Sequence, residues 1–98
     1  MDLKIFDNKD VQKLLRDNDV ARLSLFGSSA RDEEMSSSDI DLMVRFNKQK
    51  SLLAFVRLER DLSELLGRKV DLVTENSVSP HLKRVINKDT RIVFNEKE

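Results

Sequence analysis

Hydrophobic positions recur along this chain at two spacings, one of a helix and one of a strand. Over residues 7–18, Val11, Leu14 and Leu15 share one helical face, and Asp7 or Asn8 stands where a cap is needed. Residues 20–26 read as a first strand. Its apolar positions, Val20, Leu23, Leu25 and Phe26, break strict alternation, so burial on both faces is expected. A short helix over 28–34 and a polar loop over 35–38 follow, then a second strand over 39–46. Residues 51–66 form the longest predicted helix, with Leu52, Phe55, Val56, Leu58, Leu62, Leu65 and Leu66 in one apolar stripe. Arg57, Arg60, Asp61 and Glu64 face away; Glu59 falls at the edge of the stripe and Leu53 off it, and the pattern gives neither a role. Gly67 is placed to end that helix in a left-handed cap. A third strand over 69–74 comes next, then a helix over 80–87 with Ser79 as cap and Pro80 in its first turn. A fourth strand over 90–95 and a frayed tail over 96–98 end the chain.

No internal repeat or linker interrupts this order, so a single domain over 1–98 is expected. Strands alternating with helices imply an α/β or α+β architecture, a mixed sheet of about four strands with helices packed on it. Composition narrows the function. The chain has 98 residues, enough for one domain with a modest core. Its 18 basic and 18 acidic residues cancel to a formal net charge of zero, which argues against a dedicated nucleic-acid binder. The lack of cysteine excludes a disulfide frame or a thiolate metal site. No apolar run approaches the roughly 20 residues of a bilayer span. Met1-Asp2-Leu3-Lys4 lacks the basic-then-apolar layout of a secretion signal, so a cytoplasmic protein free of the membrane is expected.

The candidate chemistry gathers between Phe26 and Val44. Gly27 lets the chain turn sharply after the first strand, and Ser28 and Ser29 can cap a helix starting there. The unpaired N–H groups of such a helix start can bind phosphate; an ordinary strand-to-helix turn would want the same residues. In Ser38-Asp39-Ile40-Asp41-Leu42, strand alternation turns both aspartates to one face, roughly 6.5–7 Å apart. Two carboxylates so placed repel each other unless a cation sits between them. Asp71 interrupts the apolar third strand and is either a solvent-facing strand residue or a third site acid. His81 is the only histidine and is assigned no role. Lys83, Arg84, Lys88 and Arg91 give the C-terminal region a basic bias, read as a solvated face. No Gly-x-x-x-x-Gly-Lys loop is present, so the chain is no P-loop ATPase.

Gly27-Ser28-Ser29-Ala30-Arg31 followed by Ser38-Asp39-Ile40-Asp41-Leu42 resembles the nucleotidyltransferase signature of the DNA polymerase β superfamily. The chain is most similar to its minimal branch, small proteins that pair with HEPN-domain toxins in toxin–antitoxin systems. The resemblance covers nearly the whole chain from Val20 and implies a polymerase-β-type fold. It implies that Asp39, Asp41 and Asp71 are catalytic and hold Mg²⁺, two ions in the family pattern. It places Gly27 and Ser28 at the β- and γ-phosphates of ATP, with Arg31 steadying the site or the triphosphate; Ser38 is read as bonding phosphate or backbone, or equally as capping its loop. One departure stands out: Asp32 occupies a position where the family usually has glycine. The implied activity is transfer of AMP from ATP to a hydroxyl, a tyrosine in studied members, of a HEPN ribonuclease toxin, which neutralises it. No direct nucleic-acid contact is expected. The rival reading is a catalytically weak or inactive module that neutralises its partner by binding alone. A third is a nucleotide-sensing subunit that binds ATP without passing a group on.

Overall fold

A 3-10 turn, Leu3–Asp7, leads into helix α1, Lys9–Asp17. The computed structural model describes residues 3–26, 39–75 and 90–96. Asn8 rather than Asp7 caps α1, its side-chain oxygen accepting the Asp10 N–H at 2.7 Å. Strand β1 is Val20–Leu25, β2 is Ile40–Phe46, helix α2 is Leu52–Leu66, β3 is Val70–Thr74 and β4 is Arg91–Asn95. The strands and α2 begin or end within a residue of the spans their patterns predict. The helices expected over 28–34 and 80–87 lie outside the described residues.

The four strands form one mixed sheet in the order β3-β2-β1-β4. β1 runs antiparallel to β2 and to β4, while β2 and β3 are parallel. Parallel neighbours need a crossover, and α2 supplies it. Ser51 starts α2 by accepting the Ala54 N–H at 3.1 Å, and Gly67 ends it at φ 69, the left-handed cap its position implies.

One core joins the two helices to one face of the sheet. Val11 and Leu15 of α1 and Leu58 and Leu62 of α2 meet Val20, Leu23, Leu25, Ile40, Leu42, Val44, Val70 and Leu72. β1 is buried on both faces around Leu23, Ser24 and Leu25, as its broken alternation implies. The apolar stripe of α2 is narrower than its sequence pattern. Phe55, Leu58, Leu62 and Leu66 face the core, whereas Leu52 is 78% exposed and Val56 and Leu65 are also largely in solvent. Val56 lies two residues from Leu58, about 160° round a helix of 3.6 residues per turn, so both cannot face the sheet. Leu65 instead lines a shallow groove between α1 and α2. Among the described residues no helix is long and apolar enough to cross a membrane.

Candidate active site

The strand alternation that builds the core also sorts the acids. In β2, Ile40, Leu42 and Val44 are wholly buried against the helices, so Asp41 between them faces the opposite side of the sheet. In β3, Val70 and Leu72 are buried and Asp71 between them is exposed. The parallel register makes Asp41 and Asp71 direct partners. Neighbouring strands run about 4.8 Å apart, so the two carboxylates stand side by side on one face. Asp39, immediately before β2, joins them from one alternation step away.

Burial pushes the Asp41 carboxyl above its ordinary pKa, and the negative charges of Asp71 and Asp39 push in the same direction. The charges of Asp71 and Asp39 are therefore felt at Asp41. The ammonium of Lys69 stands 3.9 Å from Asp39 Oδ2; both side chains are largely in solvent, so the attraction is small. As they stand, the acids do not close on one point. Among the described residues no three histidine, cysteine or acidic side chains form a group that could hold a metal ion. The donor chemistry nevertheless fits one, since an all-carboxylate oxygen set suits a hard divalent cation such as Mg²⁺. Burial, and then the charges of Asp71 and Asp39, raise the Asp41 pKa, and a bound cation would favour its ionised form.

Gly27, Ser28, Arg31 and Ser38 lie outside the described residues, as does Asp32. The chain next to them is anchored: the Phe26 N–H donates to the Asp41 carbonyl at 3.2 Å, which places the exit of β1 beside the acids. At the other end of the same strands lies a feature that the sequence pattern did not signal. A cleft of about 1280 Å³ opens between the ends of β2 and β3 and the start of α2, lined in part by Arg22, Arg45, Lys50, Phe46, Phe55 and Glu75. Arg22 pairs with Glu75 across it, and Lys50 donates to Asp19 at 2.8 Å. None of the three site acids lines this cleft.

Residues 9–98 match the family described as polymerase beta, nucleotidyltransferase. The chain belongs to that family. Among the family's named members, a Methanocaldococcus jannaschii protein carrying the provisional name protein adenylyltransferase is 46% identical over 88 residues. That match covers 89% of this chain and 94% of the relative. Two crystal structures extend the likeness of this nucleotidyltransferase to assembled systems. A chain in a toxin–antitoxin structure with AMP-PNP superposes with a TM-score of 0.75 at 26% identity, covering 99% of this chain and 76% of that one. A chain in the complex of a tri-AMPylated Shewanella oneidensis HEPN toxin with an MNT antitoxin gives 0.69 at 28% identity, covering 98% and 75%. The mixed sheet of four strands and the two helices on its one face, counted among the described residues, match the polymerase-β-type nucleotidyltransferase fold.

Proposed function

We propose that this nucleotidyltransferase is an antitoxin that transfers AMP from ATP to a tyrosine hydroxyl of a HEPN-domain toxin. The observation that carries the reading is the register of Asp41 against Asp71, with Asp39 one step away on the same face of the sheet. Relatives bearing the adenylyltransferase name and a neighbouring structure of an AMPylated HEPN toxin with its MNT antitoxin support the reaction class and the acceptor. The AMP-PNP in a second neighbour supports ATP as donor.

In this reading Asp39, Asp41 and Asp71 would hold Mg²⁺. Bound there, the ion supplies positive charge to the triphosphate and makes the acceptor hydroxyl more acidic. Gly27 and Ser28 would bind the β- and γ-phosphates, and Arg31 and Ser38 would assist them. The acceptor oxygen attacks the α-phosphorus, a new O–P bond forms and the α–β anhydride breaks. Pyrophosphate leaves with the electron pair, and Asp71 takes the hydroxyl proton before releasing it to water. The partner protein presents its tyrosine to the face of the sheet that carries the acids.

The test is incubation of the chain with Mg²⁺, α-labelled ATP and its HEPN partner. The partner should acquire label, and Asp39→Asn should abolish it. Absence of label, or equal label with the variant, removes the enzymatic reading. A second reading draws on the open arrangement of the acids and on Asp32: the fold would neutralise its partner by binding alone. Full neutralisation by an Asp39→Asn/Asp41→Asn double variant would favour it.

A further inference from the structure

β3 is an edge strand of the described sheet, with β2 on its inner side only. Edge strands carry a row of N–H and C=O groups with no ladder partner, and they are the strands most prone to slip. Here two N–H groups of the outer row are satisfied from the crossover helix. The Val70 N–H donates to Ser63 Oγ at 2.9 Å, and the Leu72 N–H donates to Glu59 Oε2 at 2.9 Å. The Ser63 hydroxyl donates in turn to the Glu59 carbonyl at 2.9 Å, so the two acceptors are tied to one turn of α2. On the inner side the Ile40 N–H donates to the Lys69 carbonyl at 2.9 Å. Asp71 sits between the two outer bonds, and its side chain points to the face that Asp41 shares.

We propose that Glu59 and Ser63 are positioning residues of the nucleotidyltransferase site. They hold β3 in the one register that sets the Asp71 carboxylate beside that of Asp41. A slip of one residue would turn Asp71 into the core face, and a slip of two would carry it roughly 6.6 Å along the strand. An apolar residue at position 59 would offer the Leu72 N–H no acceptor. The polar residue at the edge of an otherwise apolar stripe thus gains a reason: its acceptor oxygen is aimed at a backbone N–H thirteen residues further on. The inference rests on Asp71 being a site carboxylate, as in the proposed function.

The experiment compares the full chain with Glu59→Ala, Glu59→Gln and Ser63→Ala. Glutamine keeps an acceptor oxygen and loses the charge, so it separates hydrogen bonding from electrostatics. Three quantities are read: amide exchange of Val70 and Leu72, Mn²⁺ affinity by calorimetry, and AMP transfer resolved into kcat and the KM for ATP. Removing the support of a metal-site group typically costs roughly 10–100-fold, and a loss of that size is expected in Mn²⁺ affinity and kcat for Glu59→Ala. The Leu72 amide should lose protection while Leu23 and Val44, in the centre of the sheet, keep theirs. Glu59→Gln should recover most of both. Should Glu59→Ala fail to fold, Ser63→Ala, which removes one acceptor from the same edge, serves the same comparison. Mn²⁺ affinity and kcat equal to wild type in folded alanine variants would overturn the proposal, as would a glutamine variant no better than alanine. A wild-type chain that neither binds Mn²⁺ nor transfers AMP would sink the proposed function itself, and the clamp's purpose with it; that result is distinct from variants that match an active wild type.

Discussion

Asp41 carries the conflict between folding and chemistry at the scale of one residue. It is partly buried, and two like charges face it, so its ionised form costs the folded state. Asp41→Asn removes that repulsion and keeps the shape. In metal-free buffer at neutral pH its unfolding midpoint should therefore lie above that of the wild type. With Mg²⁺ and ATP the order should reverse. A ligand at 100 times its Kd stabilises the folded state by about 2.7 kcal/mol, and the variant should gain little of this. Scanning calorimetry of both proteins in both buffers checks the crossing; parallel shifts would contradict it. The sidedness of Asp41 and Asp71 is legible in the sequence, because each stands between apolar neighbours on a strand, and Asp39 lies two residues from Asp41. That Asp41 stands opposite Asp71 is not legible. It depends on the register of two strands joined by a helix, and packing fixes that register. Glu59 is illegible for the same reason: its partner is a backbone N–H on a strand that sequence spacing cannot place beside it.

At the scale of elements, the turns at one end of the sheet are tied by charge. Asp19, between α1 and β1, holds a left-handed φ of 60, which aspartate and asparagine tolerate better than most residues. Its carbonyl accepts the Asn47 N–H at 2.9 Å, and its carboxylate accepts from Lys50 at 2.8 Å with Lys48 at 3.8 Å. The hydrogen bond from Lys50 and then the charges of both lysines hold the Asp19 carboxyl below its ordinary value of 3.8, against a smaller cost of desolvation. A carboxyl whose folded pKa is depressed contributes stability above its unfolded pKa and loses it as pH falls through the folded one. Asp19→Asn keeps the backbone preference and loses the charge. Its unfolding midpoint should lie below wild type at pH 7. The gap should close as pH drops below 3.8 and narrow in high salt. Thermal melts across pH decide it, since a gap that persists in acid would locate the effect in the backbone. The spans of α1, α2 and all four strands are legible from periodicity to within about two residues. The width of the apolar stripe on α2 is not, because its first turn and one flank extend past the sheet and leave Leu52 and Val56 in solvent.

The whole molecule divides its labour across one sheet. Among the described residues, α1 and α2 and the core they cover lie on one face; the acids lie on the other, reached by the alternate residues of the same strands. Stability and chemistry should then respond to different substitutions. Leu62 is wholly buried between α2 and the sheet. Removing such a side chain costs about 3 kcal/mol, within the usual 2–5. In a domain of this size each kcal/mol lowers the midpoint by roughly 4–8 °C, so Leu62→Ala should melt roughly 12–24 °C lower. A small domain with more than about 5 kcal/mol of stability remains folded at 25 °C after that loss. At that temperature AMP transfer per folded molecule should stay within about twofold of wild type, because the strands of the core layer keep their register. Asp71→Asn should do the opposite, leaving the midpoint at or above wild type and abolishing transfer. Circular dichroism melts paired with transfer assays on both variants separate the two responses. A Leu62→Ala protein that is folded yet inactive would mean that the acids depend on the packing beneath them, and that the two faces are one device.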